Sequence, residues 1–263
     1  MKSSVGNIYK GGYEMSWFKR VADERRESEA DRWLQRALEI YQKASSEQID
    51  MHELERGIQL CRKAESVYLS VGKPGIAVTC YNLEGSLHRF RHDLQATIEC
   101  HEKALKIIRH ISPESESEGQ CLNNLAELHR ESYFPEPLAD DHCIEHFIKA
   151  LRYAVQACTL FQRKHPGSKW FALALYHLGR ICAEFGEVET AEHILSRAQR
   201  LFASAGDSIL KRHCDMSLNS LKEYDTEMAR KHRRLAEYLL KERNDWEEVQ
   251  HLLDTTRKIA RVS

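Results

Sequence analysis

The chain has 263 residues, of which 42% are hydrophobic, so it is long enough to bury a substantial core. Its 39 basic and 40 acidic side chains nearly cancel, which removes the clearest electrostatic argument for binding nucleic acid or an anionic membrane, and we expect neither partner. The 8 cysteines occur without a C-x-x-C pair, and no apolar run is long enough to cross a bilayer, which together predict a cytoplasmic protein with reduced thiols.

The first segment, residues 1–15, is rich in glycine and contains few apolar side chains, which predicts a flexible leader. Ser16 is a candidate N-cap because Trp17 and Phe18 follow it directly. We therefore expect ordered structure to begin near Ser16 and a helical array to occupy residues 16–205.

Within this array, small and apolar residues recur at steps of about three and four in four successive segments, each preceded by an amphipathic helix. Small side chains allow two helix backbones to approach closely, so the pattern predicts four antiparallel helix pairs. Prolines, which disfavour helix interiors, separate successive pairs. The four sets are Gly57, Cys61 and Ala64; Thr97, His101 and Ala104; Cys143, Phe147 and Ala150; and Ala191, Leu195 and Ala198.

The third pair contains an insertion, Glu131–Asp141, between its two helices. The insertion carries two prolines and the adjacent aromatic residues Tyr133 and Phe134. Aromatic side chains on loops often contact another molecule, so we expect Tyr133 and Phe134 to be exposed and to contact a partner.

The clearest pair lies between Trp170 and Phe202, where Leu178-Gly179 falls in a first helix, Phe185-Gly186-Glu187 makes the turn, and Ala191 falls in a second helix. This segment resembles a tetratricopeptide (TPR) repeat. The stretches LNNLAELH and HPGSKWFALALYHLG are similar to the long-helix TPR subgroup typified by kinesin light chains. The resemblance implies an all-α, TPR-like superhelical solenoid of about four helix pairs. It also implies a non-catalytic adaptor or regulatory subunit that binds a peptide or helix of another protein.

Residues 206–263 are predicted to form C-terminal capping helices, because a repeat array must cover the apolar face of its last repeat. A long amphipathic helix carrying Leu221 and Leu235 is expected first. A short helix is expected to follow, with an apolar stripe formed by Trp246, Val249, Leu253 and Ile259. The same leucines have heptad-like spacing. A homodimer formed through residues 218–261 therefore remains an alternative.

The TPR resemblance implies that the first helices of successive repeats line a concave groove and that residues beside the repeat leucines point into it. Asparagine side chains there would satisfy the main chain of a bound peptide. We expect these side chains to face solvent when the groove is empty. The candidate groove residues are Tyr81, Asn82, His88, Arg89, Asn123, Asn124, Glu127, Arg130, Tyr176, His177 and Arg180.

One motif points to catalysis instead. His142-Cys143-Ile144-Glu145-His146 matches the H-x-x-E-H pattern, in which two histidines one helical turn apart bind zinc and the glutamate activates water. A zinc-dependent hydrolase is therefore a second alternative. The sequence shows no third ligand, so we expect no catalytic residue, no metal and no cofactor.

Overall fold

The computed structural model describes residues 6–46, 49–133, 140–222 and 226–261. These residues form eleven α-helices and no strand, which confirms the predicted all-α fold. They divide into two compact units, Met1–Ile111 and Ser112–Ser263. In the described part of the chain, no helix is both long enough and apolar enough to span a membrane.

The first unit consists of two helix pairs in which each helix packs against the next one along the chain. Its first helix begins at Gly6, upstream of the expected N-cap at Ser16, and so includes most of the segment for which a flexible leader was predicted. The predicted small residues Gly57, Cys61 and Ala64 are buried in the second helix. The helices are α1 (Gly6–Ser46), α2 (Met51–Ser70), α3 (Pro74–Phe90) and α4 (Leu94–Ile111).

The second unit contains the other two predicted pairs, followed by three C-terminal helices. The four helix pairs expected in the array are therefore all present in the fold. The helices are α5 (Glu116–Tyr133), α6 (Asp141–Lys164), α7 (Lys169–Glu184), α8 (Val188–Ser204), α9 (Ser208–Lys222), α10 (Thr226–Glu242) and α11 (Trp246–Arg261).

Local chemistry explains the boundaries of the fourth pair, α7 and α8. Ser168 is the N-cap of α7, and its hydroxyl accepts a hydrogen bond from the Phe171 backbone N–H at 3.1 Å. Gly186 lies in the turn that follows, with a φ of 86° that side chains other than glycine rarely tolerate. The backbone N–H of Glu187 then donates to the Cys182 carbonyl at 2.9 Å, which closes the turn before α8 begins.

The two helices approach closely at Gly179, the glycine of the repeat signature. A Cβ atom at this position would lie 2.7 Å from Leu195 Cγ, closer than real Cβ contacts. Leu195 is fully buried, so its side chain cannot move aside into solvent. The small residue at position 179 therefore sets the distance between α7 and α8.

We expect Gly179→Ala to destabilise the protein by about 1–3 kcal/mol, because overpacking outweighs the roughly 1 kcal/mol that alanine gains in helix propensity. Chemical denaturation followed by circular dichroism measures the change. Gly75→Ala is the matched control, since the nearest atom to a Cβ there is Ile111 Cδ1 at 3.9 Å. The control should be neutral or stabilising, and an equally stable Gly179→Ala protein would contradict close packing at this crossing.

The region after residue 206, where one long helix was expected, contains α9 up to Lys222 and α10 from Thr226 among the described residues. The final helix α11 packs against α6 and α8, and the apolar stripe predicted for it is buried, including Val249, Leu253 and Ile259. This stripe therefore lies in an intramolecular contact.

Polar contacts also hold α11 in place. Arg257 of α11 donates to the Glu187 carboxylate at the start of α8, at 2.6 Å. Arg197 of α8 donates to the Ile259 carbonyl at 3.0 Å. Arg152 of α6 pairs with Glu248 at 2.5 Å, although this contact is on the surface. Together these bonds fix α11 across the second helices of the third and fourth pairs.

Candidate functional site

Helices α5 and α7 are the first helices of the third and fourth pairs, and they contact each other directly. The Glu127 carboxylate of α5 lies at the centre of this contact. It accepts hydrogen bonds from His177 Nδ1 and Arg180 Nη1 of α7, both at 3.0 Å. It also accepts one from Arg130 Nε of its own helix at 3.0 Å. Three of the predicted groove residues, Arg130, His177 and Arg180, therefore bond to another one, Glu127.

Arg130 extends this network to the end of α7. Its Nη1 atom donates to Glu184 at 2.7 Å, and its side chain is only 5% exposed. The Tyr133 hydroxyl donates to the other Glu184 oxygen at 2.8 Å. The two carboxylates thus share one arginine between them. We call Glu127, Arg130, Tyr133, His177, Arg180 and Glu184 the α5–α7 network.

The environment shifts the pKa values of the two carboxyls in opposite directions. Burial alone would raise the pKa of Glu127, but hydrogen bonds from His177 and Arg130 and the charge of Arg180 lower it well below its usual range. Burial raises the pKa of Glu184, and the charge of Arg130 offsets this only in part. Glu184 is therefore the carboxylate that depends more on its arginine.

The predicted groove residues are less exposed than the sequence suggested. Arg89 and Asn124 are exposed, and Asn82, Glu127, Tyr176 and Arg180 are partly exposed. Five others, which were expected to face solvent, are buried. They are Tyr81, His88, Asn123, Arg130 and His177.

Packing between helices is the reason for this burial. Asn123 is 1% exposed, and its side-chain amide donates to the Trp170 carbonyl at the start of α7 at 3.1 Å. Tyr81 donates to Glu65 on the neighbouring helix α2. These polar side chains therefore bond to adjacent helices of their own chain, as buried polar groups generally do.

The predicted partner loop is described only in part. Tyr133, expected to be exposed, is 2% exposed and bonded to Glu184, so the prediction of exposure is wrong for this residue. It ends α5 and packs edge-on against Phe147, with ring centroids 5.8 Å apart. Phe134 lies outside the described residues.

The H-x-x-E-H motif occupies the first two turns of α6. His142 is exposed, whereas His146 is buried and its Nδ1 lies 2.9 Å from Nδ1 of His129 on α5. His129 is thus a neighbour that sequence spacing did not reveal. Glu145 is exposed and paired with Lys149 at 2.6 Å. The glutamate that would activate water in a hydrolase is therefore engaged by a lysine.

Helix α9 lies beside α7 on the side of the second unit that carries the α5–α7 network. It contacts α7, and α7 in turn contacts α5. Arg180 lies over the Tyr176 ring, with 5.3 Å between Cζ and the ring centroid, and the Tyr176 ring is 6.5 Å from that of His213. On α9, Ile209 and Met216 are 68% and 60% exposed. A shallow cleft of about 460 Å³ is lined there by Ser208, Ile209, Arg212, His213 and Met216.

We call Tyr176, Arg180 and the side chains of this cleft the α7–α9 face. Its α9 members were not predicted from the sequence, because residues after 206 were expected to form a cap. The spacing of Ile209, Arg212, His213 and Met216 places all four on one side of a helix and is the signal that could have identified them.

Comparison with known proteins supports the fold. A putative kinesin light chain from Podosopora anserina with nearly identical TPR-like repeats superposes with a TM-score of 0.53 at 13% identity, covering 89% of this chain and 99% of that one. BtubC (BKLC) from P. vanneervenii superposes more loosely, with a TM-score of 0.45 at 19% identity over 90% of this chain and 91% of that one. No family model matches the sequence, and no curated protein matches it significantly. The superposition on the TPR-like repeats of the kinesin light chain shows that this chain has a fold of TPR-like repeats, as predicted.

Proposed function

We propose that the protein is a non-catalytic adaptor or regulatory subunit of the cytoplasm that binds a segment of another protein. The proposed binding surface is the α7–α9 face of the second unit. The observation that carries the proposal is the pair of large apolar side chains, Ile209 and Met216, that α9 leaves exposed on one side. Both side chains line the same shallow cleft, and apolar side chains grouped at a cleft are a common feature of binding surfaces.

The chemistry of this face suggests the kind of segment it fits. Ile209 and Met216 are two helical turns apart and frame Arg212 and His213. An amphipathic helix could place apolar side chains between the two exposed residues and direct acidic side chains toward Arg212 and His213. Tyr176 provides a partly exposed aromatic ring at the edge of the face.

The α5–α7 network supports this proposal by holding the scaffold in place. Its hydrogen bonds join Glu127 to His177 and Arg180, so the backbone positions of α5 and α7 are fixed before a partner binds. A preorganised surface loses less entropy on binding. Asn124, which is exposed on α5, remains the predicted amide contact for the main chain of a bound segment.

The sequence left two other functions open. Self-association through residues 218–261 is supported by Leu235 and Tyr238 of α10, which are 51% and 60% exposed. We keep it as the second candidate function. A hydrolase is not proposed, because Glu145 is paired with Lys149 and His146 with His129.

The test begins by capturing a partner with the full-length protein and then measures its affinity by calorimetric titration. We expect Met216→Glu to weaken binding at least about tenfold, or roughly 1.4 kcal/mol, because it places a like charge opposite an acidic segment and removes apolar contact. Thermal stability should stay constant because Met216 is exposed.

Leu235→Glu is the matched control, since it places the same charge at an exposed apolar residue outside the proposed face. The Leu235→Glu protein should bind the partner with the same affinity as the parent protein. If Leu235→Glu weakens binding and Met216→Glu does not, the α7–α9 face is not the interface. Light scattering of both variants shows whether α10 mediates a homodimer.

A further inference from the structure

The first unit contains a compact group of three potential metal ligands that the proposed function does not use. Glu84 and His88 lie one turn apart on α3, and Cys100 lies opposite them on α4. Their carboxylate oxygen, imidazole nitrogen and sulfur atoms all lie within 4.8 Å of one another. All three residues are buried, at 4%, 4% and 3% exposure.

The orientation of His88 suits metal binding. Its Nε2 atom faces the Glu84 carboxylate at 3.6 Å, and its Nδ1 atom faces the Asp93 carboxylate at 3.6 Å. Metal-binding histidines commonly have a carboxylate behind the ring, which fixes the tautomer and directs the other nitrogen to the metal. Nδ1 of His88 is buried and has no hydrogen-bond partner. A small movement of His88 Nδ1 toward the Asp93 carboxylate would form the hydrogen bond that fixes the tautomer.

A positive charge already occupies the side of this group that faces solvent. Arg62 of α2 donates from Nε to Glu84 at 2.7 Å, and its Nη2 atom lies 3.5 Å from His88 Nε2. Its side chain is 49% exposed, so the guanidinium can turn outward into solvent. The Arg62 guanidinium therefore occupies the position in which a metal ion would bind Glu84 and His88. It would compete with that ion.

From this geometry we propose that Glu84, His88 and Cys100 bind one Zn²⁺ ion, with Arg62 displaced toward solvent. One oxygen, one nitrogen and one sulfur ligand form a donor set that zinc accepts, with a water molecule in the fourth position. On binding, a Zn–S bond forms and the S–H bond of Cys100 breaks, and the proton passes to the solvent. The ion would link α3 to α4 and stabilise the second helix pair.

This site goes beyond the proposed partner binding and beyond the sequence analysis, which expected no metal. Glu84 and His88 form no recognised metal motif, and Cys100 follows on the next helix. Only the packing of α3 against α4 brings the three together. The metal must displace the thiol proton of Cys100, so its affinity should increase with pH.

The experiment titrates reduced, metal-free, full-length protein with Co²⁺, a spectroscopic substitute for Zn²⁺. We expect one Co²⁺ per chain and a thiolate-to-cobalt charge-transfer band that added Zn²⁺ removes. Cys100→Ala should abolish the band. Cys121→Ala, which removes a buried thiol of the second unit, should keep it.

Two further variants separate a metal site from a purely structural cluster. Asp93→Asn should weaken Co²⁺ binding by about 10- to 100-fold, as loss of a supporting carboxylate does. Arg62→Gln should strengthen it, because the competing cation is gone. If the cluster only stabilised the fold, Arg62→Gln would not increase the affinity for Co²⁺. Circular dichroism checks that both variants are folded.

Three results would overturn the proposal. The first is the absence of saturable Co²⁺ binding by the parent protein. The second is equal affinity in the parent and Arg62→Gln proteins. The third is a band that survives in Cys100→Ala but disappears in His142→Ala, which would place the metal at the exposed group of Asp140, His142 and Cys143.

Discussion

Replacing Arg130 with methionine should lower the free energy of unfolding by about 3–5 kcal/mol, the usual cost of removing one partner from a buried ion pair. Arg130 bonds to both Glu127 and Glu184. In the variant, Glu127 keeps His177, whereas Glu184 keeps only the Tyr133 hydroxyl among the bonds described. The main cost is therefore a largely buried Glu184 carboxylate, 16% exposed, without its arginine. Chemical denaturation at neutral pH measures the loss.

The pH dependence of this loss identifies its cause. The pKa of Glu184 is already raised by burial, and removing the Arg130 charge raises it further. The folded variant then takes up a proton more readily than the unfolded chain, so its stability relative to the parent decreases as pH rises. The destabilisation should therefore be smaller at mildly acidic pH than at neutral pH. A loss that does not change with pH would point to packing instead.

Arg152→Met is the matched control for this substitution. Arg152 pairs with Glu248 at 2.5 Å, but both side chains are more than 40% exposed, at 41% and 44%. Exposed ion pairs contribute about 0–1 kcal/mol because solvent screens them. If the two variants lose the same stability, the burial of the α5–α7 network has no energetic consequence.

The helix pairs could be predicted because their signals are local. The small residues at Gly179, Ala191 and Ala198 and the turn at Gly186 all act within one pair, and each occupies the expected place. The apolar stripe of α11 was likewise visible in the sequence. Its packing against α6 and α8 was not, because the residues bonded across these contacts lie far apart in the sequence, 96 positions for Arg152 with Glu248 and 62 for Arg197 with Ile259.

The candidate site was harder to predict for the same physical reason. Glu127, Arg130 and His177 were identified as polar residues near the repeat leucines, but their orientation depends on which helix lies beside them. The structure shows that they bond to one another, so a polar residue in a first helix need not face a groove. Their contact with a partner remains a prediction. Ile209 and Met216 were missed because the repeat signature stops before α9.

The buried histidine pair of the third helix pair leads to the last prediction. Nδ1 of His129 and Nδ1 of His146 are 2.9 Å apart, which requires one nitrogen to donate and the other to accept. Burial, together with the neighbouring His146 and Lys149, lowers the pKa of His129 from 6.5 to about 3. Glu145 acts in the opposite direction but is mostly exposed and paired with Lys149. The folded protein therefore holds His129 neutral well below neutral pH.

The sign of the effect follows from proton binding. Below pH 6.5 the unfolded chain protonates His129 while the folded protein does not until the pH approaches about 3. Stability is thus present at neutral pH and is lost as the pH falls, by about 1.4 kcal/mol per pH unit for each such histidine. Carboxylates also titrate in this range, so the contribution of His129 must be measured as a difference.

We expect His129→Gln to reduce the pH dependence of unfolding by about 1.4 kcal/mol per pH unit between roughly pH 6 and pH 4, because glutamine can hydrogen-bond to His146 but does not titrate there. Hydrogen exchange of the amides in α5 and α6 measures the slope in the second unit. The control is His110→Gln, at an exposed histidine of α4, which should leave this slope unchanged. Equal slopes in parent and His129→Gln proteins would show that His129 is protonated in the folded state, and that the contact with His146 does not depend on a neutral pair.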